Sequence, residues 1–187
     1  MTVLTIPAAT DDSSTSRWTR ETVRLGAGAE MLSWLTEQGL LTERVRSRCR
    51  GEFGLRIVSE RHDVLLPGDA AALAVTDLSV FIREIELTCD SVARVFAQTL
   101  VPAATLAAEP WLAALGNDAL GPRLASLGGA LRDPLEFARL SPGNPLFHRA
   151  LRAATTTPDA VWARRARYRL ATHCLIVQEV FLPEGIA

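Results

Sequence analysis

The sequence predicts an α+β fold: a single domain built on an antiparallel β-sheet with helices that must cover it. Three observations predict it. Two apolar segments, SVFIREIELT (79–88) and VARVFAQTLV (92–101), flank a Cys89-Asp90-Ser91 turn, which is a hairpin pattern. Two further strand-like segments, ARRARYRL (163–170) and HCLIVQEVFLP (173–183), follow one another near the end of the chain. Helical patterns read elsewhere in the chain, at 29–36 and in part over 103–115, supply the helices that must cover the sheet. The 187 residues are 48% hydrophobic, enough for one domain with a sizeable core.

The elements follow in order. Residues 1–17, which include DDSSTS, have little to bury and read as a flexible N-terminal segment; the domain proper is expected over 18–187. AEMLSWLT (29–36) puts Met31, Trp34 and Leu35 on one helical face. Gly39 marks a stop, and Leu40 to Arg46 restarts as a short helix. FGLRIVSERHDVLL (53–66) alternates in part, with Phe53, Leu55 and Ile57 on one side, and is expected to be a strand. PGDAAAL reads as a connection with room for one helical turn. Pro102 closes the second hairpin strand, and 103–115 is helical in part, interrupted by Pro110. Asn117 or Asp118 is the expected cap of the next helix, where Leu120, Leu124 and Leu127 recur and Pro122 fits the first turn. SPGNPLFHRALRAATTTPDAV (141–161) is rich in turn formers and is expected to be a surface excursion.

Bulk properties narrow the function classes. A net charge of -1 offers no electrostatic footprint for nucleic acid or an anionic membrane. No stretch approaches 18 uninterrupted apolar residues, and the N-terminus lacks the basic-then-apolar pattern of a signal peptide, so a cytoplasmic protein without membrane insertion is expected. Cys49, Cys89 and Cys174 lack metal-ligand spacing, and the odd count suggests thiols in a reducing compartment rather than a disulfide scaffold. His62, His148 and His173 have no zinc-site spacing. No glycine-rich phosphate loop or GxSxG elbow occurs. The run Arg164, Arg165, Arg167 and Arg169 could form a basic stripe, but a solvated face paired with nearby acids is the more common outcome.

Two charges stand where charges are unusual. The period of two groups Arg83 with Phe81, Ile85 and Leu87, and Glu179 with Leu175, Val177 and Phe181. One explanation is a structural ion pair, or an arginine whose stem packs while its head reaches water. The other is a pocket on the sheet, with Arg83 gripping a ligand carboxylate and Glu179 facing a ligand hydroxyl or handling a proton.

Four stretches carry a family resemblance: WLTEQGLLTER (34–44), FIREIELTCD…AQTLVP (81–102), LGNDALGPRL (115–124) and WARRARYRLATHCLIVQEVFLP (162–183). Together, in this order and spacing, they resemble chorismate pyruvate-lyase, the 4-hydroxybenzoate synthase of ubiquinone biosynthesis. The resemblance spans residues 30 to 183. It implies a chorismate lyase-like domain, a single α+β domain with an antiparallel β-sheet of about six strands, helices covering one face and a buried ligand cavity, acting on chorismate as a monomer to release pyruvate and 4-hydroxybenzoate without metal or organic cofactor. It also implies roles for four residues. Arg83 would grip the ring carboxylate, and Glu179 would lie near the 4-hydroxyl or departing ether oxygen. Leu120 and Leu41 would offer backbone amides to the ligand. A second cation for the enolpyruvyl carboxylate would come from Arg44 or Arg165. The chain departs from the family pattern at Ala119, where proline is common, at Gln98, where a basic residue is common, and at Ser91, where glycine is usual. A related domain that only binds small aromatic carboxylates would share the same features.

Overall fold

The computed structural model describes residues 18–154 and 156–183; the segment expected to be flexible, 1–17, lies outside the described residues. Seven strands form one sheet among the described residues: β1 Phe53–Val64, β2 Ser79–Cys89, β3 Val92–Pro102, β4 Ala130–Arg132, β5 Glu136–Leu140, β6 Val161–Leu170 and β7 His173–Phe181. Their order is β1-β2-β3-β7-β6-β4, with β5 also on β6, and every pairing is antiparallel. β5 pairs with the first half of β6 and β4 with its last three residues, so the two short strands share one edge. The sheet is therefore six positions wide, as expected, with seven strands filling them.

Both long hairpins form. The β2–β3 turn places Asp90 at φ 51° and Ser91 at φ 65°, a left-handed pair that lets the twist of the strands continue through two residues. This geometry explains why glycine would suit position 91, where this chain carries serine.

Six α-helices are described: α1 Ala29–Leu35, α2 Leu41–Arg48, α3 Pro67–Leu73, α4 Ala103–Ala108, α5 Leu120–Ser126 and α6 Pro145–Ala150. The expected helical cover is present. Trp34 and Leu35 of α1 and Leu41 and Val45 of α2 pack on Ile85, Leu87, Val95, Ala97 and Phe181. Beside them, Leu120 and Leu124 of α5 pack on Phe81, Val101 and Leu175. A second layer, not expected from sequence, lies over the opposite face. There Ala70 and Leu73 of α3 cover Val80, Ile82, Leu100 and Ile176, while Leu146, Phe147 and Ala150 of α6 cover Phe96, Ala163 and Val180.

Several local expectations are corrected. The segment 141–161 is not a surface excursion: it contains α6, and Phe147 is fully buried. Asn144 caps that helix, its Oδ1 accepting from the amides of Leu146 and Phe147 at 2.9 and 3.3 Å. PGDAAAL is helix α3 rather than a connection. The N-cap of α5 is Ala119, not Asn117 or Asp118, and Leu127 is its C-cap rather than a helical residue. β4 and β5 escaped detection because they are short, and Gly128, Gly129 and Pro134 break any periodicity around them.

The expectation of free thiols is also overturned. Cys49, the C-cap of α2, is disulfide-bonded to Cys89 at the end of β2, while Cys174 remains a thiol. Cysteines 40 residues apart carry no pairing signal in sequence; the β1–β2 register brings them together. Among the described residues no helix is long and apolar enough to cross a membrane.

Two outcomes test this architecture. Phe147→Ala is expected to lower unfolding free energy by about 3–5 kcal/mol in a denaturant titration. A loss under about 1 kcal/mol would be that of a surface position. Reduction of the Cys49–Cys89 bond should cost about 4 kcal/mol on the chain-entropy estimate for a loop of this size. The check is a thermal midpoint that falls with reductant in the parent and no longer responds to it in Cys89→Ser.

Candidate active site

The α1/α2/α5 face of the sheet is not closed by packing alone. A cavity of about 380 Å³ remains between it and the helices, within the size range of a small-ligand site. Its floor includes Arg83 and Ile85 of β2, Ala97 and Thr99 of β3, Val177 and Glu179 of β7, and Arg164 and Tyr168 of β6. Its roof includes Gln38 to Thr42, the loop between α1 and α2 with the start of α2, and Ala119 to Gly121, the start of α5. Leu41 and Leu120 are each the first residue of a helix. The amides at such positions have no intrahelical acceptor.

Strand alternation accounts for the floor. Residues at every second position of β2, β3, β6 and β7 face the cavity, and their neighbours in sequence face α3 and α6. All four residues proposed from sequence, Arg83, Glu179, Leu120 and Leu41, line this one cavity.

Arg83 and Glu179 do not pair with each other. Arg83 is 2% exposed, and its Nε donates to Glu60 Oε1 at 3.1 Å, across the β1–β2 register. Its Nη2 donates to the carbonyls of Gly116 and Asp118 at 2.6 and 3.1 Å. Arg83 therefore pins the loop that leads into α5. Among the described residues no protein group accepts from Nη1. Burial pulls the Arg83 guanidinium down from the ordinary arginine value, and Glu60 opposes that pull.

Glu179 instead accepts from Arg164 Nε at 2.6 Å, its cross-strand neighbour on β6. Arg164, also 2% exposed, sends Nη1 to the carbonyls of Trp34, Leu35 and Glu37 at 3.3, 3.4 and 2.8 Å. These carbonyls belong to the C-terminal end of α1, where helix carbonyls lack internal partners and a cation is favoured. Arg164 therefore does for the α1–α2 roof what Arg83 does for the α5 roof. Burial pushes the Tyr168 phenol up, and the Glu179 carboxylate adds to the shift.

The remaining charges sort themselves. Glu84 faces the opposite layer, taking hydrogen bonds from Ser59 at 2.7 Å, Gln98 at 2.8 Å and Arg61 at 3.0 Å. Burial pushes its carboxyl up, but Arg61, Ser59 and Gln98 outweigh it and hold the group low. Gln98, one of the departures from the family pattern, thus lies away from the cavity, whereas Ala119 lines it. Arg165 pairs with Glu136 at 2.8 Å, and Arg167 with Asp133 at 2.8 Å, so these members of the arginine run sit in partly buried ion pairs.

Neither candidate for the second cation lines the cavity. Arg44 is bound to Ser33 and Glu37 and lies over the Trp34 ring at 4.3 Å, and Arg165 is on the far side of the sheet. The arginines that do line it besides Arg83 are Arg164 and Arg132. Arg164 was legible from alternation, which sets it apart from Arg165, Arg167 and Arg169. Arg132 carried no signal, because β4 was not recognised.

The guanidinium groups of Arg83, Arg132 and Arg164 and the carboxylate of Glu179 thus line a small pocket between the sheet and its helices, within a single α+β domain. A family model described as chorismate lyase matches residues 13–186, and the chain belongs to that family. Proteins named probable chorismate pyruvate-lyase are similar along most of their length. That of Aromatoleum aromaticum is 35% identical over 171 residues, covering 89% of this chain and 91% of its own. That of Nitrosospira multiformis is 34% identical, covering 80% and 84%. That of Thiobacillus denitrificans is 37% identical, covering 80% and 81%. Among solved structures, PhnF from Mycobacterium smegmatis aligns with a TM-score of 0.57 at 16% identity, covering 81% of this chain and 67% of that one. A GntR-family transcriptional regulator from Bacillus cereus aligns at 0.53 and 13% identity, covering 73% and 96%. At such identities these structures support the chorismate lyase-like fold alone.

Arg164→Ala would leave Glu179 without its cation and three roof carbonyls without their donor. It is expected to cost about 3–5 kcal/mol of stability by denaturant titration, the scale for breaking a buried pair from one side. A cost near zero would show that the roof is held by packing alone.

Proposed function

We propose that this protein is a chorismate pyruvate-lyase, converting chorismate to 4-hydroxybenzoate and pyruvate. The observation that carries the reading is the convergence of Arg83, Glu179, Leu41 and Leu120 on one small cavity in a chain of this family. In the proposed reaction the bond between the ring and the ether oxygen breaks, and a ring proton leaves. The C–H electron pair completes the aromatic ring, and the enolate that leaves with the C–O pair takes a proton on its methylene carbon to become pyruvate.

Each residue has a task matched to its position. The ring carboxylate meets Arg83 through Nη1, because Nε and Nη2 are committed to Glu60 and the Gly116 and Asp118 carbonyls. The amides of Leu41 and Leu120 add neutral donors for the same anion. Glu179, held by Arg164, acts as an acceptor, taking the hydrogen bond of the 4-hydroxyl or receiving a proton near it. Closing the roof over a bound ligand would strengthen each contact by excluding water. We read the enzyme as a cytoplasmic monomer that works without metal or organic cofactor and supplies 4-hydroxybenzoate for ubiquinone synthesis.

Incubation of the purified protein with chorismate, with pyruvate and 4-hydroxybenzoate both quantified, tests the reaction. Equal yields above the spontaneous background are expected; tight 4-hydroxybenzoate binding with no turnover would make this a binding domain instead. Arg83→Ala should weaken 4-hydroxybenzoate binding by about tenfold or more, the scale of a charge-assisted contact. Glu179→Gln should lower kcat more than it changes product affinity. Parental values in both variants would remove these residues from the site.

A further inference from the structure

We infer that Arg132 is the cation that holds the second carboxylate of the substrate, the one on the enolpyruvyl arm; this rests on the lyase reading of the same cavity. Three arginines line the cavity, and two are already neutralised. Arg83 has Glu60 and Arg164 has Glu179 as ion partners. Arg132 differs. Its Nη2 donates to the carbonyl and the side-chain Oε1 of Gln38, at 2.8 and 3.0 Å, and both acceptors are neutral. Among the described residues no carboxylate pairs with it; the adjacent Asp133 is occupied by Arg167 and Arg169. A half-buried guanidinium on the wall of the pocket, without a carboxylate partner among the described residues, is suited to a ligand anion.

Its place also matches the geometry of a dicarboxylate. Arg132 stands on β4 opposite Tyr168 of β6, while Arg83 lies across the floor on β2, with β3, β7 and β6 between β2 and β4 in the sheet order. Glu179, on β7, falls between them. A ring anchored at Arg83 would therefore pass Glu179 on the way to an arm that ends at Arg132. The arm's carboxylate leaves with pyruvate, so Arg132 would contribute to substrate binding and little to retention of the aromatic product. Its bonds to Gln38 tie the same group to the roof loop, so arrival of the arm and closure of that loop involve one side chain.

The test compares two unreactive ligands in parent, Arg132→Gln, Arg132→Lys and Gln38→Ala proteins: 4-hydroxybenzoate, with one carboxylate, and 3-(carboxymethoxy)-4-hydroxybenzoate, with a second on an ether arm. Calorimetric Kd values are measured alongside the chorismate KM. Arg132→Gln should weaken the dicarboxylate by about tenfold or more and raise KM similarly, while the 4-hydroxybenzoate Kd moves less than about twofold. Arg132→Lys should recover most of the loss, and Gln38→Ala should not reproduce it. Parallel weakening of both ligands, or equal effects of Arg132→Gln and Gln38→Ala, would make Arg132 a roof latch only and overturn the inference. No change in either ligand would also overturn it. A parent that binds both ligands selectively but lacks turnover would refute the lyase reading and leave the carboxylate assignment standing.

Discussion

Two buried arginines, each rooted in the sheet and each bonded to backbone carbonyls of a roof segment, are the constraint on which the site depends. Arg164 reaches the C-terminal carbonyls of α1, and Arg83 reaches the loop before α5. A guanidinium spreads several donors in a fixed plane, so one side chain can satisfy an ion partner and several carbonyls at once. Lysine could not do this with the same geometry. The arrangement satisfies polar groups that would otherwise be costly under a roof, and it places the starts of α2 and α5 over the sheet. The roof is held both by these bonds and by the packing of Leu35, Leu41, Val45 and Leu124 on the strands, with the cavity between.

The opposite face of the sheet shows the same chemistry used for another end. Glu84 and Glu86 are almost fully buried, yet both are enclosed by arginines: Arg61 and Arg149 around the first, Arg56 and Arg152 around the second. Those pairs link β1, β2 and the α6 region, and Gln98 and Arg149, which bond Glu84, also line a cavity of about 540 Å³ on this face. The strands are therefore buried on both faces, which explains why neither face of β2 or β7 is uniformly apolar. A charge on a two-sided strand tells only that it has a partner. Which partner decides whether it is structure or site.

Much of the architecture was legible because its signals are local. The β2–β3 hairpin announced itself through two apolar runs and a short turn, and α1 through Met31, Trp34 and Leu35 at helical spacing. Arg83 and Glu179 stood out because a charge in an apolar strand breaks a local pattern. α6 was missed for the opposite reason. Its surroundings, Pro142, Gly143, Asn144 and Pro145, are turn formers, and its burial is set by β5, β6 and β7 rather than by its own composition. The disulfide was missed because the odd cysteine count argued against it, and only the register of β1 on β2 brings Cys49 to Cys89.

The sequence by itself determined the α+β class and the long strands, and it marked Arg83 and Glu179 as charges set in apolar strands. All of these depend on periodicity or on a residue that violates it, which a chain carries along its length. Only the tertiary structure decided the partners: Glu60 for Arg83, Arg164 for Glu179, and no carboxylate for Arg132 among the described residues. Partnership depends on which strands lie side by side and how they are registered. That order, β1-β2-β3-β7-β6-β4, brings together residues more than a hundred positions apart. The free energy that selects it comes from burying both faces of the sheet at once, and no single segment of the sequence contains that information.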